Sequence, residues 1–197
     1  MSTGSLSVSV WRGSKKGRFA DYDVPRRDRQ TVLDVVTHIQ RYIDPSLSYR
    51  FACRVGVCGS CAMTVNGRAR WTCRTHVNQV AADGRLRIEP LRSLRVIKDL
   101  SVDMTDFFDK WAKAKGAFEP TATRTNDLAA IQPGDYKRRQ ASAGIECIGC
   151  GVCYASCDVV QWNSDYLGPA ALNRAWTLIN DVRDGGSRER LAAVAGD

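Results

Sequence analysis

The chain has 197 residues, 44% of them apolar and 25% charged, and carries a formal charge of +8. That length suffices for two modest domains with cores of their own. No run of about eighteen apolar residues occurs, and Met1-Ser2-Thr3-Gly4-Ser5-Leu6 lacks the apolar stretch of a secretory signal, so a cytosolic chain with no membrane span is expected. The arginines scatter over both halves, as at Arg26, Arg27, Arg92, Arg95, Arg138 and Arg139. They read as a solvated surface, or, more sharply, as a docking face for an acidic protein or an anionic membrane. No basic stripe with interleaved aromatics appears, which argues against nucleic acid.

Ser5 to Val10 alternates as a strand, Gly13 to Gly17 turns, and Arg18 to Val24 alternates again, so a hairpin opens the chain. A helix follows, capped by Thr31 with Asp34 three residues on; Val32, Val35, Val36, Ile39 and Ile43 make its apolar face and Pro45 ends it. After the first cysteine loop, Ala62 to Val65 and Arg68 to Thr72 flank an Asn66-Gly67 hairpin turn. Leu86 to Pro90 reads as the last short strand. The second half reads as helical. Asp103 to Lys115 sets Met104, Phe107, Phe108 and Trp111 on one face, its acids in the first turn and lysines in the last. Residues 116–141, broken by Pro120, Pro133 and Gly134, read as an ordered connection. Pro169 suits the first turn of a helix running to about Val182, with Leu172, Trp176, Ile179 and Val182 inward. Gly185-Gly186 ends it, and Ser187 is expected to cap one more helix. A division near residue 100 is expected, with an α+β domain before it.

The eight cysteines fall in two groups, at 53–73 and 147–157. Without a signal peptide, metal binding is favoured over disulfides. Cys53, Cys58, Cys61 and Cys73 have the C-x4-C-x2-C…C spacing of a plant-type [2Fe–2S] site. Gly56 and Gly59 let the backbone wrap closely round the sulfurs, where N–H groups tune the potential. A four-cysteine zinc site is the bland alternative, permitted by the Cys58–Cys61 pair but not favoured by the Cys53–Cys58 spacing. His76 reads as a surface histidine. Cys147, Cys150, Cys153 and Cys157 are spaced C-x2-C-x2-C-x3-C, the bacterial iron–sulfur run, in which three thiolates serve one cubane and the fourth serves another cluster. Only forty residues follow, none of them cysteine, so the residues given read as part of a longer chain.

Cys53-Arg54-Val55-Gly56-Val57-Cys58-Gly59-Ser60-Cys61-Ala62-Met63 resembles the [2Fe–2S] loop of the iron–sulfur subunit of succinate dehydrogenase and fumarate reductase. Residues 147–157 resemble that family's second cluster motif, and Tyr166 to Leu172, with Asp181-Val182-Arg183-Asp184, resemble the segment after it. The resemblance covers nearly the whole chain. It implies an α+β architecture: a plant-type ferredoxin (β-grasp) domain over residues 1–100, then an all-α bacterial-ferredoxin-like domain over 101–197. It also implies [2Fe–2S], [4Fe–4S] and [3Fe–4S] clusters. Cys53, Cys58, Cys61 and Cys73 would hold the first, Cys147, Cys150 and Cys153 the second, and Cys157 the third, the last two with ligands from beyond Asp197. The implied partners are a flavoprotein (FAD) subunit and membrane-anchor subunits with quinone, which would hold the chain peripherally at the cytoplasmic face of a bacterial inner membrane. Trp162 matches a tryptophan that lines the quinone pocket in the family; the bland alternative is a buried packing residue. The chain departs from the pattern at Asp158, where the family usually has proline. The rival readings are a stand-alone ferredoxin-like carrier for another flavoenzyme and a zinc-stabilised interaction module without redox activity.

Overall fold

A computed structural model describes residues 4–197 and shows a mixed α/β chain in two compact units. One unit runs to Met104 and includes Gly149–Ser156; the other comprises Thr105–Ile148 and Cys157–Asp197. The segment around Cys150 thus packs with the N-terminal unit, an arrangement that a single cut near residue 100 does not capture. Met1-Ser2-Thr3, read above as starting a chain without a signal, lies outside the described residues.

The first unit is built on a five-stranded sheet. Strands β1 (Ser5–Arg12) and β2 (Arg18–Pro25) form the expected hairpin, and β3 (Ala62–Val65) and β4 (Arg68–Trp71) pair across Asn66-Gly67. Strand β5 (Arg85–Glu89) runs parallel to β1 and antiparallel to β3, giving the order β2-β1-β5-β3-β4. The period-2 pattern is what buries Leu6, Val8, Val10, Leu86 and Ile88 on one face. Helix α1 (Val32–His38) covers that face with Val32, Val35 and Val36, and the short helix α2 (Val77–Val80) adds Val77 to the same core. Its start is a full capping box: Asp34 N–H donates to the Thr31 hydroxyl at 3.2 Å, and Thr31 N–H to the Asp34 carboxylate at 3.0 Å. The helix continues as a π-helical turn over Ile39–Ile43, which swings Ile43 outward to 44% exposure instead of the core face expected for it. Strand β5 is not the last. A small ribbon of β6 (Val96–Lys98) and β7 (Ser101–Val102) follows, too short and polar to leave a periodic signal.

In the second unit α3 (Thr105–Lys113) buries Phe107, whereas Phe108, expected on the same face, is half exposed. Lys110 takes the inner position, donating from Nζ to the Tyr166 carbonyl at 2.6 Å. The connection ends earlier than expected, because α4 (Tyr136–Ile145) starts at an Asp135 cap that accepts from Arg138 N–H at 2.8 Å. Helix α7 (Pro169–Ile179) begins at its proline as foreseen. Its buried face is Ala170, Ala171, Ala175 and Leu178, while Trp176 and Val182 are exposed. Of the expected face Leu172 packs against the buried cluster and Ile179 is half-buried, whereas Trp176 and Val182 stay out because close packing on α4, α3 and α8 selects small side chains. Helix α8 (Ser187–Val194) is preceded by Gly186 at the cap position, so Ser187 is its first residue rather than its cap.

Candidate metal centre

The loop between Phe51 and Cys61 has no regular structure; it is shaped by backbone torsions. Gly56 and Gly59 have φ of +78° and +71°, and Arg54 sits at +61°. These left-handed residues turn successive N–H groups inward. The Cys53 sulfur accepts from Val55 N–H at 3.4 Å, Val57 N–H at 3.3 Å and Cys58 N–H at 3.3 Å. Cys58 sulfur accepts from Cys53 N–H at 3.5 Å and lies 3.0 Å from the Ser60 hydroxyl. A short 3₁₀ turn, Thr72–Arg74, follows β4 and brings Cys73 to the same place from the other side.

The thiols are divided. Cys53 and Cys58 adjoin each other at the rim, and Cys73 adjoins Cys61, both buried. The three backbone donors draw the Cys53 thiol below its ordinary pKa. The Ser60 hydroxyl, with the Cys53 and Ser60 N–H groups behind it, draws Cys58 down to about 6. Burial pushes Cys73 up to about 11, and the adjoining Cys61 adds to that. Cys58 is therefore the thiol most readily deprotonated, whereas Cys73 gives up its proton only to a strong electrophile such as iron. None of the eight cysteines is in a disulfide, and among the described residues no three His, Cys, Asp or Glu side chains converge on one ion.

In the second motif Gly149 and Gly151 have φ of +63° and +75° on either side of Cys150, and Gly151 starts the short helix α5 (Val152–Ala155), which carries Cys153. Cys147 donates its N–H to the Gly144 carbonyl at 3.2 Å just past α4. Cys157 is the N-cap of α6 (Asp158–Trp162). Cys150 and Cys153 belong to the first unit, Cys147 and Cys157 to the second. Asp158 is the first residue of α6, whose N-cap Cys157 makes no side-chain cap bond. Both proline and an acid suit that position, the one by its fixed φ and the other by the helix dipole, so the exchange leaves the turn intact. Trp162, the last residue of α6, is 83% exposed, which removes the packing role from the described chain. His76 is exposed as expected. Sequence reasoning missed Ser60. Its place between two ligands was visible, but not its hydroxyl's direction.

A family model described as a 2Fe-2S iron-sulfur cluster binding domain matches residues 7–109. The chain is 37% identical to the fumarate reductase iron-sulfur subunit of Mycobacterium tuberculosis, aligned over 90% of this chain and 71% of that one. It is 38% identical to the mitochondrial succinate dehydrogenase [ubiquinone] iron-sulfur subunit 1 of Oryza sativa, over 98% of this chain and 69% of the relative. Among solved structures, a chain of the Mycobacterium smegmatis Sdh1 complex in the apo form matches with a TM-score of 0.84 at 27% identity, covering 97% of this chain and 81% of that one. Sheet, cysteine loop and family match define an iron–sulfur protein of electron transfer. The chain belongs to the family of iron–sulfur subunits of succinate dehydrogenases and fumarate reductases, the electron-transfer subunits of those oxidoreductase complexes. Among the described residues no helix is long and apolar enough to cross a membrane.

Proposed function

We propose that this chain relays electrons between a flavin subunit and quinone at a membrane anchor, as part of a succinate:quinone or fumarate:quinone oxidoreductase. The observation that carries the reading is the divided thiol set. Two facing pairs, Cys53 with Cys58 and Cys61 with Cys73, offer two thiolates to each of two irons. A zinc ion would instead need four sulfurs round one point. In this reading the first unit is a plant-type ferredoxin domain, and residues 101–197 form a bacterial-ferredoxin-like helical one. Cys147, Cys150 and Cys153 hold a [4Fe–4S] cluster and Cys157 contributes to a [3Fe–4S] cluster.

The clusters, when bound, supply one-electron chemistry; the residues supply spacing, potential and docking. N–H groups of Val55, Val57 and Cys58 stabilise charge on Cys53 sulfur. Val55 and Val57 stand exposed beside the rim thiols, an apolar edge suited to a protein partner. Through such partners the chain would sit peripherally on the membrane. Helix α6 spaces Trp162 from Cys157 by about 7–8 Å along its axis. The exposed indole N–H is free to donate to a quinone carbonyl.

The test uses the assembled complex. Cys58→Ser should weaken or shift the [2Fe–2S] spectrum and leave the second motif's iron in place. Trp162→Phe keeps the ring and loses one donor, worth roughly 0.5–1.5 kcal/mol, so quinone reduction should fall several-fold to about tenfold. Reduction of an artificial acceptor at the flavin should be unchanged. Equal losses in both assays would identify a folding defect, and an unchanged quinone rate would remove Trp162 from the site.

A further inference from the structure

Gly59 lies between two ligands of the first loop, and Cys150 belongs to the second motif, ninety-one residues on; both are in the same compact unit. They touch. A Cβ placed on Gly59 would stand 2.5 Å from the Cys150 Cβ, 2.8 Å from its Cα and 3.4 Å from its N. No side chain of any kind fits there, and what blocks it is main chain and Cβ, which cannot swing aside. The seat is fixed from the other side as well. A Cβ on Gly151 would meet Met104 Cε at 3.2 Å, Leu91 Cδ1 at 3.5 Å and Leu94 Cδ1 at 3.8 Å, and both leucines are buried. Positive φ at Gly149 and Gly151 turns the chain so that Cys150 faces the Gly59 backbone.

Gly56 supplies an internal control. Its φ of +78° imposes the same demand for glycine, yet a Cβ there would meet first the Arg74 side chain, at 2.9 Å from Cγ. Backbone torsion thus explains both glycines, while contact with the second motif explains Gly59 alone.

We infer that Gly59 is a positioning residue for electron transfer: its bare main chain is the surface on which Cys150 rests, and it fixes how closely the two cluster loops approach. This rests on the reading that Cys58 and Cys61 hold one cluster and Cys150 a ligand of the next. One electron leaves the first cluster and arrives at the second, with no proton or bond changing place. With both clusters bound, the Gly59–Cys150 contact would set how far the electron tunnels, and tunnelling weakens steeply when such a contact opens.

The experiment compares Gly59→Ala, Gly84→Ala and Leu94→Ala in the isolated complex. The readouts are iron and sulfide content and, after dithionite reduction, the microwave-power saturation of the [2Fe–2S] EPR signal, which a nearby paramagnetic cluster relaxes. Gly59→Ala should keep the [2Fe–2S] signal, weaken its relaxation by the neighbour, and slow electron passage to quinone several-fold. Gly84→Ala, with the same left-handed φ of +79° but only the Ser5 carbonyl near its Cβ, should keep relaxation at the wild-type level. Leu94→Ala loosens the seat without straining the cysteine loop and should weaken relaxation in the same direction, which decides the matter should Gly59→Ala fail to assemble. Wild-type relaxation in Gly59→Ala, or in Leu94→Ala where only that assembles, overturns the inference. Failure of the ligand assignment would show differently, as retention of both clusters in Cys58→Ser and Cys150→Ser.

Discussion

In the sheet unit the buried interior is aliphatic. Leu6, Val8, Val10, Val35, Val36 and Ile88 are wholly enclosed, and the buried polar groups among them, such as Thr64, Thr72 and Asp99, are each hydrogen-bonded to main chain. In the helical unit the apolar cluster is small, with Ala114, Ala171 and Ala175 beside Leu167, and the largest enclosed side chain is a charged one. Arg190 donates to Asp184 at 2.5 and 3.2 Å, to the Lys115 carbonyl at 2.8 Å and to the Ala117 carbonyl at 2.9 Å. Asp184 in turn accepts from Glu119 N–H at 3.1 Å and Gly186 N–H at 2.9 Å. One guanidinium and one carboxylate thus tie the end of α3, the start of the connection and α8 together. The first unit is held by area removed from water, the second by a polar node whose members depend on one another. An aliphatic interior degrades gradually when trimmed. A buried ion pair does not, since removing one partner strands the other.

The sharpest way to break the comparison is Arg190→Met. It leaves Asp184 buried without a cation and should destabilise the helical unit by about 3–5 kcal/mol. Hydrogen exchange on the full chain should show protection lost over α3, α7 and α8 and kept over β1–β5. Uniform loss over both units would mean that the node supports the whole chain. Pairing the change with Asp184→Leu should recover part of the loss, because an apolar pair of similar volume needs no counter-charge.

A smaller effect tests whether polar groups of the sheet unit tune rather than hold. Ser60→Ala removes one donor from the Cys58 sulfur, 3.0 Å away. A hydrogen bond to a ligand sulfur favours the more negative, reduced cluster. At roughly 0.5–1.5 kcal/mol per bond, its loss should lower the [2Fe–2S] potential by up to about 20–60 mV. EPR-monitored redox titration measures this. Stability should hardly move, and a melting point that falls with the potential unchanged would reverse the assignment.

The same contrast explains what the sequence made legible. Alternation in β1, β2 and β5, the Asn66-Gly67 turn and the Thr31–Asp34 box depend on neighbours in the chain, and each was readable. Both cysteine motifs were readable because ligand spacing is itself local. The faces of α3 and α7 were only partly legible: Phe107, Trp111 and Leu172 pack inward as expected, but α7 packs chiefly through alanines and α3 buries a lysine whose partner, the Tyr166 carbonyl, lies fifty-six residues away. A period count rewards large apolar residues and therefore chose Phe108, Trp176 and Val182, which remain at the surface. The Arg190–Asp184 node and the Gly59–Cys150 contact have no periodic signature at all. They are set by tertiary packing, and only coordinates disclose them.

The smallest expected effect concerns the polar network at the edge of the sheet unit. Asp44 accepts from Arg12, from Tyr22 Oη at 2.9 Å, and from the Ser46 hydroxyl at 2.6 Å and N–H at 3.1 Å. The Ser46 hydroxyl chiefly, with Tyr22 and Arg12, holds this carboxyl well below the usual carboxylate range. A depressed native pKa contributes stability above the unfolded value of about 3.9, and that contribution fades as pH falls below it toward the native value. Asp44→Asn should therefore destabilise the chain at pH 7 by only about 0.2–1 kcal/mol, since the pair is partly open to water. The gap between wild type and variant should narrow as pH drops from about 4 toward 2. Denaturation of both proteins, prepared free of iron because acid strips thiolate-held metal, measures that gap. A gap that stays constant with pH would place the role of Asp44 in the shape of its hydrogen bonds instead of its charge. The Arg12–Asp99 pair, with its buried carboxylate, would then be the element of the sheet unit to compare with Arg190 and Asp184.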